Sequence, residues 1–494
     1  MTAERKVSPT AMVLPLALAQ FTASYAASNM NVAISTIADD IGTTVVGMQT
    51  TITLFTLTMA SLMIPGSKVT DMWGRKRCFV IGLFVYGIGA LLASFSTGIG
   101  LMIFGYSVLE GVGSALLIPP IYILITVLFS DTRSRAKYFG IVSGAAGLGA
   151  ASGPLIGGLI TSGISWRASF GLQVAAVAVI IYLTWRHIYP EPSERTQGFD
   201  VGGAVLNVLG LFFVVLGILL SGTYGWVVSR KDFTIGDTVV LPSGGVSPVV
   251  ISVIIGALFL AWFFLHCRSR EQHGREPLVA LRLFRNKTSN LGLGTQNIQW
   301  LTMQGTFFVL SVYLQQVNGY NAIQTGLALT PAIVGILLAS AAAERMASRR
   351  DQRTLIRGGF VVDAAGMAIL VIFGRSASSW ALAPGLLLIG AGVGIMLTAS
   401  VNVVQSAFPE ADQSDISGVS RSVSNLGSSI GTALAGSIVV AGTTPKGHPF
   451  AAALIVLLVI ALIGLVLAIL LPPQPKPRPQ PKTTADPAPQ TATG

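Results

Sequence analysis

Gly66-Ser67-Lys68-Val69-Thr70-Asp71-Met72-Trp73-Gly74-Arg75-Lys76-Arg77 is the stretch on which the reading of this chain turns. It separates an apolar run at about residues 46–65 from another at about 78–97, with the spacing GxxxxDxxGRKR. The glycines allow a tight turn between two helices, and Asp71 can meet the positive N-terminal end of a helix. Arg75, Lys76 and Arg77 can hold acidic partners across one face of a helical bundle. A plain cationic loop between membrane helices accounts for the cations, but not for Gly66, Asp71 and Gly74 at these positions.

Outward from this loop the chain is a succession of apolar runs. Six lie at about 11–35, 46–65, 78–97, 100–129, 135–162 and 168–188, two at about 200–221 and 247–267, and six at about 288–315, 321–343, 355–374, 380–405, 416–441 and 447–471. The expected fold is all-α and polytopic, with 14 transmembrane helices arranged 6+2+6. Residues 1–10 form an N-terminal segment, 11–190 a first six-helix bundle and 191–287 a two-helix insertion with its flanking loops. Residues 288–471 form a second bundle and 472–494 a Pro-rich, disordered tail. Composition agrees: of 494 residues 10% are charged and 52% apolar, with a mean hydropathy of +0.70, where soluble domains carry about 25% charged residues. Fourteen spans of about 20 residues consume roughly 280 residues and leave only short loops.

Placing the N-terminus in the cytosol leaves Arg167, Arg230, Lys231, Arg375 and Lys446 outside and 26 of the 31 Lys and Arg inside, so both termini are expected to be cytosolic. Glu4 to Lys6, an apolar stretch and the small residues Ala23 to Ser28 imitate a secretory signal. Its cleavage would leave an odd span count against the charge bias, so an uncleaved first span is expected. The net charge of +11 is scattered between apolar runs rather than gathered in a phosphate-binding patch, which argues against nucleic acid. Cys78 and Cys267 fall in expected cytosolic loops and suggest no disulfide framework. There is no HExxH, no zinc-spaced Cys/His cluster, no phosphate loop and no convincing nucleophile–base pair, so no catalytic residue, metal or cofactor is expected.

In the fifth run, Gly149, Gly153 and Gly157 recur every four residues beside Pro154 and Gly158, giving one smooth helix face with a bend. GxxxxDxxGRKR resembles the signature loop of the major facilitator superfamily, and Gly149–Gly158 resembles the GxxxGPxxGG motif of its exporters. Phe199-Asp200-Val201-Gly202, Glu276-Pro277 through Arg285, and Tyr313 through Tyr320 with Gly326 and Pro331 are similar to the fourteen-span drug:proton antiporter branch. That resemblance implies two six-helix bundles rocking about a central cavity.

Two departures from the branch stand out. Ala26 occupies the place of an acid in span one, and Ser107-Val108-Leu109-Glu110-Gly111 replaces R-x-x-Q-G in span four. Glu110 lies about 15 Å into its span, where an ionised carboxylate costs about 2.5–3.5 kcal/mol or more. It is therefore the candidate proton-coupling residue; the alternative is a neutral acid that only ties span four to a neighbour. Asp363, six residues beyond Arg357, reads as a local structural pair, and Asp200 and Asp71 as helix caps or latches.

The resemblance further implies that spans one, four, nine and twelve line the cavity. They offer Gln20, Asn29, Asn31, Gln296, Gln299, Trp300, Gln304, Asn402 and Gln405 beside Glu110, with about half expected to face the cavity and the rest to bridge helices. With one midplane acid and no midplane cation the cavity is not expected to take a polyanion, and polar dots on apolar walls give the reading of an inner-membrane exporter of hydrophobic or weakly cationic small molecules. It exchanges a small lipophilic substrate for protons, works within the lipid bilayer and acts as a monomer. The alternatives are proton-independent movement of a lipid or metabolite on the same fold, and a membrane scaffold or sensor acting through its tail.

Overall fold

The computed structural model describes residues 9–129, 132–187, 198–235, 238–347, 350–373, 379–409, 412–441 and 449–473. The first helices are α1 (Pro9–Asn29), α2 (Ile34–Asp40), α3 (Val45–Trp73), α4 (Arg75–Ser94), α5 (Ile99–Met102), α6 (Gly111–Leu128), α7 (Thr132–Gly163) and α8 (Trp166–His187). A 3-10 turn, Met30–Ala33, joins α1 to α2, and a π-helical segment, Ile103–Glu110, joins α5 to α6. Then come α9 (Val201–Tyr224), a hairpin of β1 (Phe233–Ile235) and β2 (Thr238–Leu241), and α10 (Pro248–Gln272). The last are α11 (Lys287–Gln316), α12 (Ala322–Ala347), α13 (Gln352–Phe373), α14 (Ala383–Gln405), α15 (Gln413–Ala441) and α16 (Pro449–Leu470).

Helix starts are written in the sequence. Thr44, Asp200, Ser247 and Asn286 each accept a backbone N–H of the first turn of α3, α9, α10 and α11, and Pro248 opens α10 where its missing N–H costs nothing. Twelve helices among the described residues are long and apolar enough to cross a membrane, and thirteen when the two halves of α7 count as one span. Those halves, Gly140–Ala150 and Ser152–Gly163, meet at 43°, and Pro154 supplies the cause, since it cannot donate to the carbonyl of residue 150. α11 is 30 residues long yet absent from that set, because Gln296, Gln299 and Gln304 dilute its apolar character while its interior stays buried.

Close helix approach is made at glycines. Gly66 packs on the carbonyl of Ala115, Gly427 and Gly431 pack on the carbonyls of Asn297 and Leu301, and Gly390 packs on that of Ala332. α1 lies against α7 and α8, and α4 against α6. α11 lies against α14, α15 and α16, and α13 against α14 and α16. The early and late helices meet along two seams, α3 with α15 and α7 with α12, and α9 lies across the first of these, touching both α3 and α15.

The structure corrects three expectations. Gly66 is not at the turn: α3 runs on to Trp73, and the only positive-φ residue of the loop is Gly74, at φ 91°. Cys78 and Cys267 are not in loops but buried on α4 and α10. Asp363 does not pair with Arg357, which reaches away to donate to the carbonyls of Ala468 (3.1 Å) and Ile469 (2.6 Å) at the end of α16. The guanidinium thus satisfies helix-end acceptors and the acid is left in the interior. The expectations for residues 1–8 and for the tail beyond 473 lie outside the described residues.

Candidate functional site

Glu110 ends the π-helical segment, a geometry that inserts one residue into the turn and re-aims the side chains after it. Its side chain is buried inside the early helix group rather than lying open on a cavity wall, and the Tyr86 hydroxyl approaches its carboxyl too loosely to satisfy either oxygen. Gly89 of α4 packs against its backbone nitrogen. Tyr86 and Tyr106, both buried, are within its electrostatic reach. Tyr86 donates to Gln173 of α8, and Tyr106 donates to the carbonyl of Ala26 (3.3 Å) while stacking on Phe55 at 4.5 Å between ring centroids. Ser107 donates to the carbonyl of Thr51 (2.7 Å). The aromatic shell excludes water from a carboxyl group that no cation neutralises.

The span-five glycines do what the spacing predicts. Gly149 packs on the carbonyl of Phe21, Gly153 on Ser28 and Gly157 on Asn29, all on α1, while Gly158 packs on the carbonyl of Ala322 and so binds α7 to α12. Nearby, Gly326 of α12 packs on the carbonyl of Pro154. This seam explains Asn29, which is no cavity residue: its Nδ2 donates to Ser169 (2.8 Å), and its Oδ1 fills the notch that Gly157 leaves. Asn31 is also buried, and its carbonyl accepts from Gln315 Nε2 (3.1 Å), whose Oε1 accepts from Ser35 N (2.9 Å). Gln20 turns back on Ser24 (3.4 Å).

Two amides of α11 are bridges as well. Gln296 accepts from Ser420 of α15 (2.8 Å) and Gln299 from Ser400 of α14 (3.0 Å), while Gln304 is buried. Trp300 is half-buried against the main apolar cluster. Gln405 donates to Ser417 (3.2 Å), and Asn402 alone of the nine is exposed. Gly74, Arg75, Lys76 and Arg77 stand at the α3–α4 junction, and Asp71 lines a cleft with Lys68, Met72, Phe199, Asp200 and Glu276.

Sequence reasoning passed over Lys68 and Arg421, and of Asp200 it read the cap but not its other partners. Lys68, inside the signature stretch, bridges Asp415 of α15 (3.0 Å) and Glu276 (4.0 Å), and so pins the α3–α15 seam. Asp200 caps α9 and also accepts from His266 (2.9 Å) and the backbone of Leu278 (3.1 Å), with Arg270 at 3.5 Å. Burial works to raise its carboxyl, but these hydrogen bonds and the nearby guanidinium outweigh it and hold the group below the usual range. Arg421 was counted with the loop cations. It stands instead within α15 and reaches to α6, where it donates to the hydroxyl of Tyr122 and lies 4.8 Å from its ring centre. The signal for it was a lone cation inside the Ser/Gly-rich run 416–441.

Asp363 is buried with one oxygen 3.4 Å from Thr302 of α11 and the other unpartnered.

The comparisons agree with this architecture. A family model described as Major Facilitator Superfamily matches residues 16–284 and 292–493. The chain is 24% identical over 403 residues to the multidrug resistance protein Stp of Mycobacterium tuberculosis, covering 82% of this chain and 71% of that one. It is 29% identical over 413 residues to the puromycin resistance protein pur8 of Streptomyces alboniger, covering 82% and 76%. It is 25% identical over 404 residues to the multidrug efflux pump LfrA of Mycolicibacterium smegmatis, covering 80% and 75%. The crystal structure of the human organic anion transporter MFSD10 shares the fold with a TM-score of 0.57 at 14% identity, covering 94% of this chain and all of that one. With its helices, its signature loop and a family match over nearly its whole length, this multi-span membrane protein belongs to the Major Facilitator Superfamily, a family of transporters and not of enzymes.

Proposed function

We propose that this protein is a secondary active transporter that exports lipophilic small molecules, drugs or antibiotics among them, by exchanging them for protons across the plasma membrane. Its chain is read as fourteen spans in a 6+2+6 order, monomeric, with both termini in the cytosol. Resemblance to drug and antibiotic resistance proteins supports the cargo class. The observation that carries the coupling is Glu110, a fully buried carboxyl group that the Tyr86 hydroxyl approaches too loosely to satisfy either oxygen and that no cation among the described residues neutralises, on a π-helical turn of a membrane helix. An unpaired ionised carboxylate in such a place costs several kcal/mol, and taking up a proton removes that cost.

In the proposed cycle Glu110 gives its proton to the cytosol when the cavity faces inward. Substrate then binds between the early and late helices, and the groups rock about the α3–α15 and α7–α12 seams. Glu110 is reprotonated from outside. One midplane acid without a midplane cation spoke only against a polyanion, and Arg421, two turns into α15, adds one cation to the late helices. The test is substrate-driven proton movement in proteoliposomes loaded with a pH-sensitive dye, with Glu110→Gln alongside. Substrate flux that ignores a pH gradient, or a well-expressed Glu110→Gln variant with unchanged proton flux, would overturn the mechanism and favour proton-independent transport on the same fold.

A further inference from the structure

We infer that Arg421 is a substrate-binding residue and that the cargo is a lipophilic molecule carrying one acidic group, a carboxylate or an acidic phenol. The inference rests on the transport reading and sharpens its substrate class.

Arg421 lies two turns into α15, and its guanidinium points out of its own helix group, because Tyr122, which it meets by hydrogen bond and over the ring face, belongs to α6 of the other group. It therefore projects into the space that a rocking motion opens and closes. The contact leaves it half-buried, and among the described residues no carboxylate lies within 4 Å of it. The nearest acids along the chain are spoken for, since Asp415 pairs with Lys68 and Asp412 with Arg282. A half-buried guanidinium matched only by a neutral phenol has no counter-charge among the described residues. Tyrosine offers a displaceable hydrogen bond and a cation–π contact, but no neutralisation. An entering acid supplies what is missing, in the planar two-point geometry that arginine prefers.

The surroundings fit an amphipathic cargo. Ser417 and Asn425, one turn either side of Arg421, are half-buried on the same face of α15, and on α14 Thr398 and Asn402 are exposed one turn apart. Gln405, a further turn along, is tied to Ser417, which places these two polar faces next to each other. Polar hydrogen-bonding groups with one cation, set beside the aromatic ring of Tyr122 on the early-helix side, match a molecule with an acidic end and a hydrophobic body. Both intramembrane acids, Glu110 and Asp363, are fully buried away from this face, so neither offers a counter-charge to a cationic cargo.

The test uses the full-length purified protein in nanodiscs without any gradient. Three probes share one hydrophobic body: 1-pyrenebutyric acid, its methyl ester and 1-pyrenebutyl-trimethylammonium. Binding is read by fluorescence anisotropy at neutral pH. The expected result is that the acid binds about ten- to a hundred-fold more tightly than the ester, the gain of a charge-assisted pair, and that the ammonium binds most weakly. Arg421→Gln should bring acid and ester together, Arg421→Lys should keep part of the preference, and Tyr122→Phe should keep it. Equal affinities in the unmodified protein, a preference for the ammonium, or an acid preference that survives Arg421→Gln would overturn the inference. Because no proton gradient or Glu110 variant enters, these outcomes are independent of those that decide antiport.

Discussion

Replacing Gly157 by alanine tests how α1 and α7 are held. A methyl group there would overlap Asn29 Oδ1 outright and stand 2.8 Å from Asn29 Cγ, against the roughly 3.5–4.0 Å of an ordinary carbon contact. Asn29 must swing away, which breaks its hydrogen bond to Ser169 (2.8 Å) in a buried seam. Overpacking costs about 1–3 kcal/mol and the lost hydrogen bond about 1, while alanine returns about 1 through helix propensity. The net expectation is about 1–3 kcal/mol of destabilisation. With Asn29→Ala already in place, the obstacle shrinks to a Cβ at 3.4 Å, an ordinary contact, so Gly157→Ala should become neutral or slightly stabilising. The coupling between the two changes is then about 1–4 kcal/mol. Gly147→Ala, which meets nothing within 4 Å, is the control and should gain up to about 1 kcal/mol. The measurement is thermal unfolding of the purified variants in one detergent, followed by size-exclusion recovery. A Gly157→Ala protein as stable as Gly147→Ala, or a loss that persists unchanged beside Asn29→Ala, would refute the reasoning.

Other outcomes follow from the same geometry. Gly74→Ala places a side chain at φ 91° between α3 and α4 and should cost about 1–2 kcal/mol of strain in the same unfolding assay. Asp200→Ala removes the α9 cap and two further hydrogen bonds, and should cost about 2–4 kcal/mol, seen as earlier proteolysis near residues 198–203 and 276–281. Because the folded state holds the Asp200 carboxyl below its ordinary value, its contribution is complete above the unfolded value, near 3.8, and is lost as pH falls through the folded one. The part of that segment's protease resistance that Asp200 itself supplies should therefore be lost only in strong acid. Lys68→Ala breaks the link to Asp415 and should raise the accessibility of a cysteine introduced at residue 418, measured by maleimide labelling in membranes.

Much of the fold was legible because membrane insertion enforces long apolar runs, and because GxxxxDxxGRKR and the span-five glycines leave patterns that few other constraints produce. Gly149, Gly153 and Gly157 could be assigned to one helix face by spacing alone, and they share one seam. What the sequence did not disclose was which neighbour each polar group meets. Asn29, Gln296 and Gln299 resemble cavity residues in one dimension, but an amide in a dry interior seeks a hydrogen bond first, and hydroxyls on α8, α15 and α14 provide it. Gly66 was read as a turn because glycine serves turns and tight packing alike, and only the carbonyl of Ala115 distinguishes the two. Glu110 was found by depth, yet its position inside the early helix group follows from a π-helical segment that no periodicity in Ile103–Glu110 announces.

The separation of Glu110 from Arg421 bears on how one could influence the other. The carboxyl group lies within reach of Tyr86 on α4 and Tyr106 on the π-helical segment, while the guanidinium belongs to α15. They share no contact, but they share neighbours: Ser107, three residues before Glu110, holds the carbonyl of Thr51 on α3, and Ser429 of α15 holds that of Thr53 (3.0 Å), two residues along. α6, which carries Tyr122, continues directly from Glu110. A change in the protonation of Glu110 that shifts the π-helical segment would therefore move α6 at one end and the α3–α15 seam at the other, and both moves act on the Arg421–Tyr122 contact. Coupling by this route needs no charge transfer between the two sites. It requires only that the packed helix between them have two positions, and π-helical segments, where one hydrogen bond of the ladder is already out of register, are where a helix yields most readily.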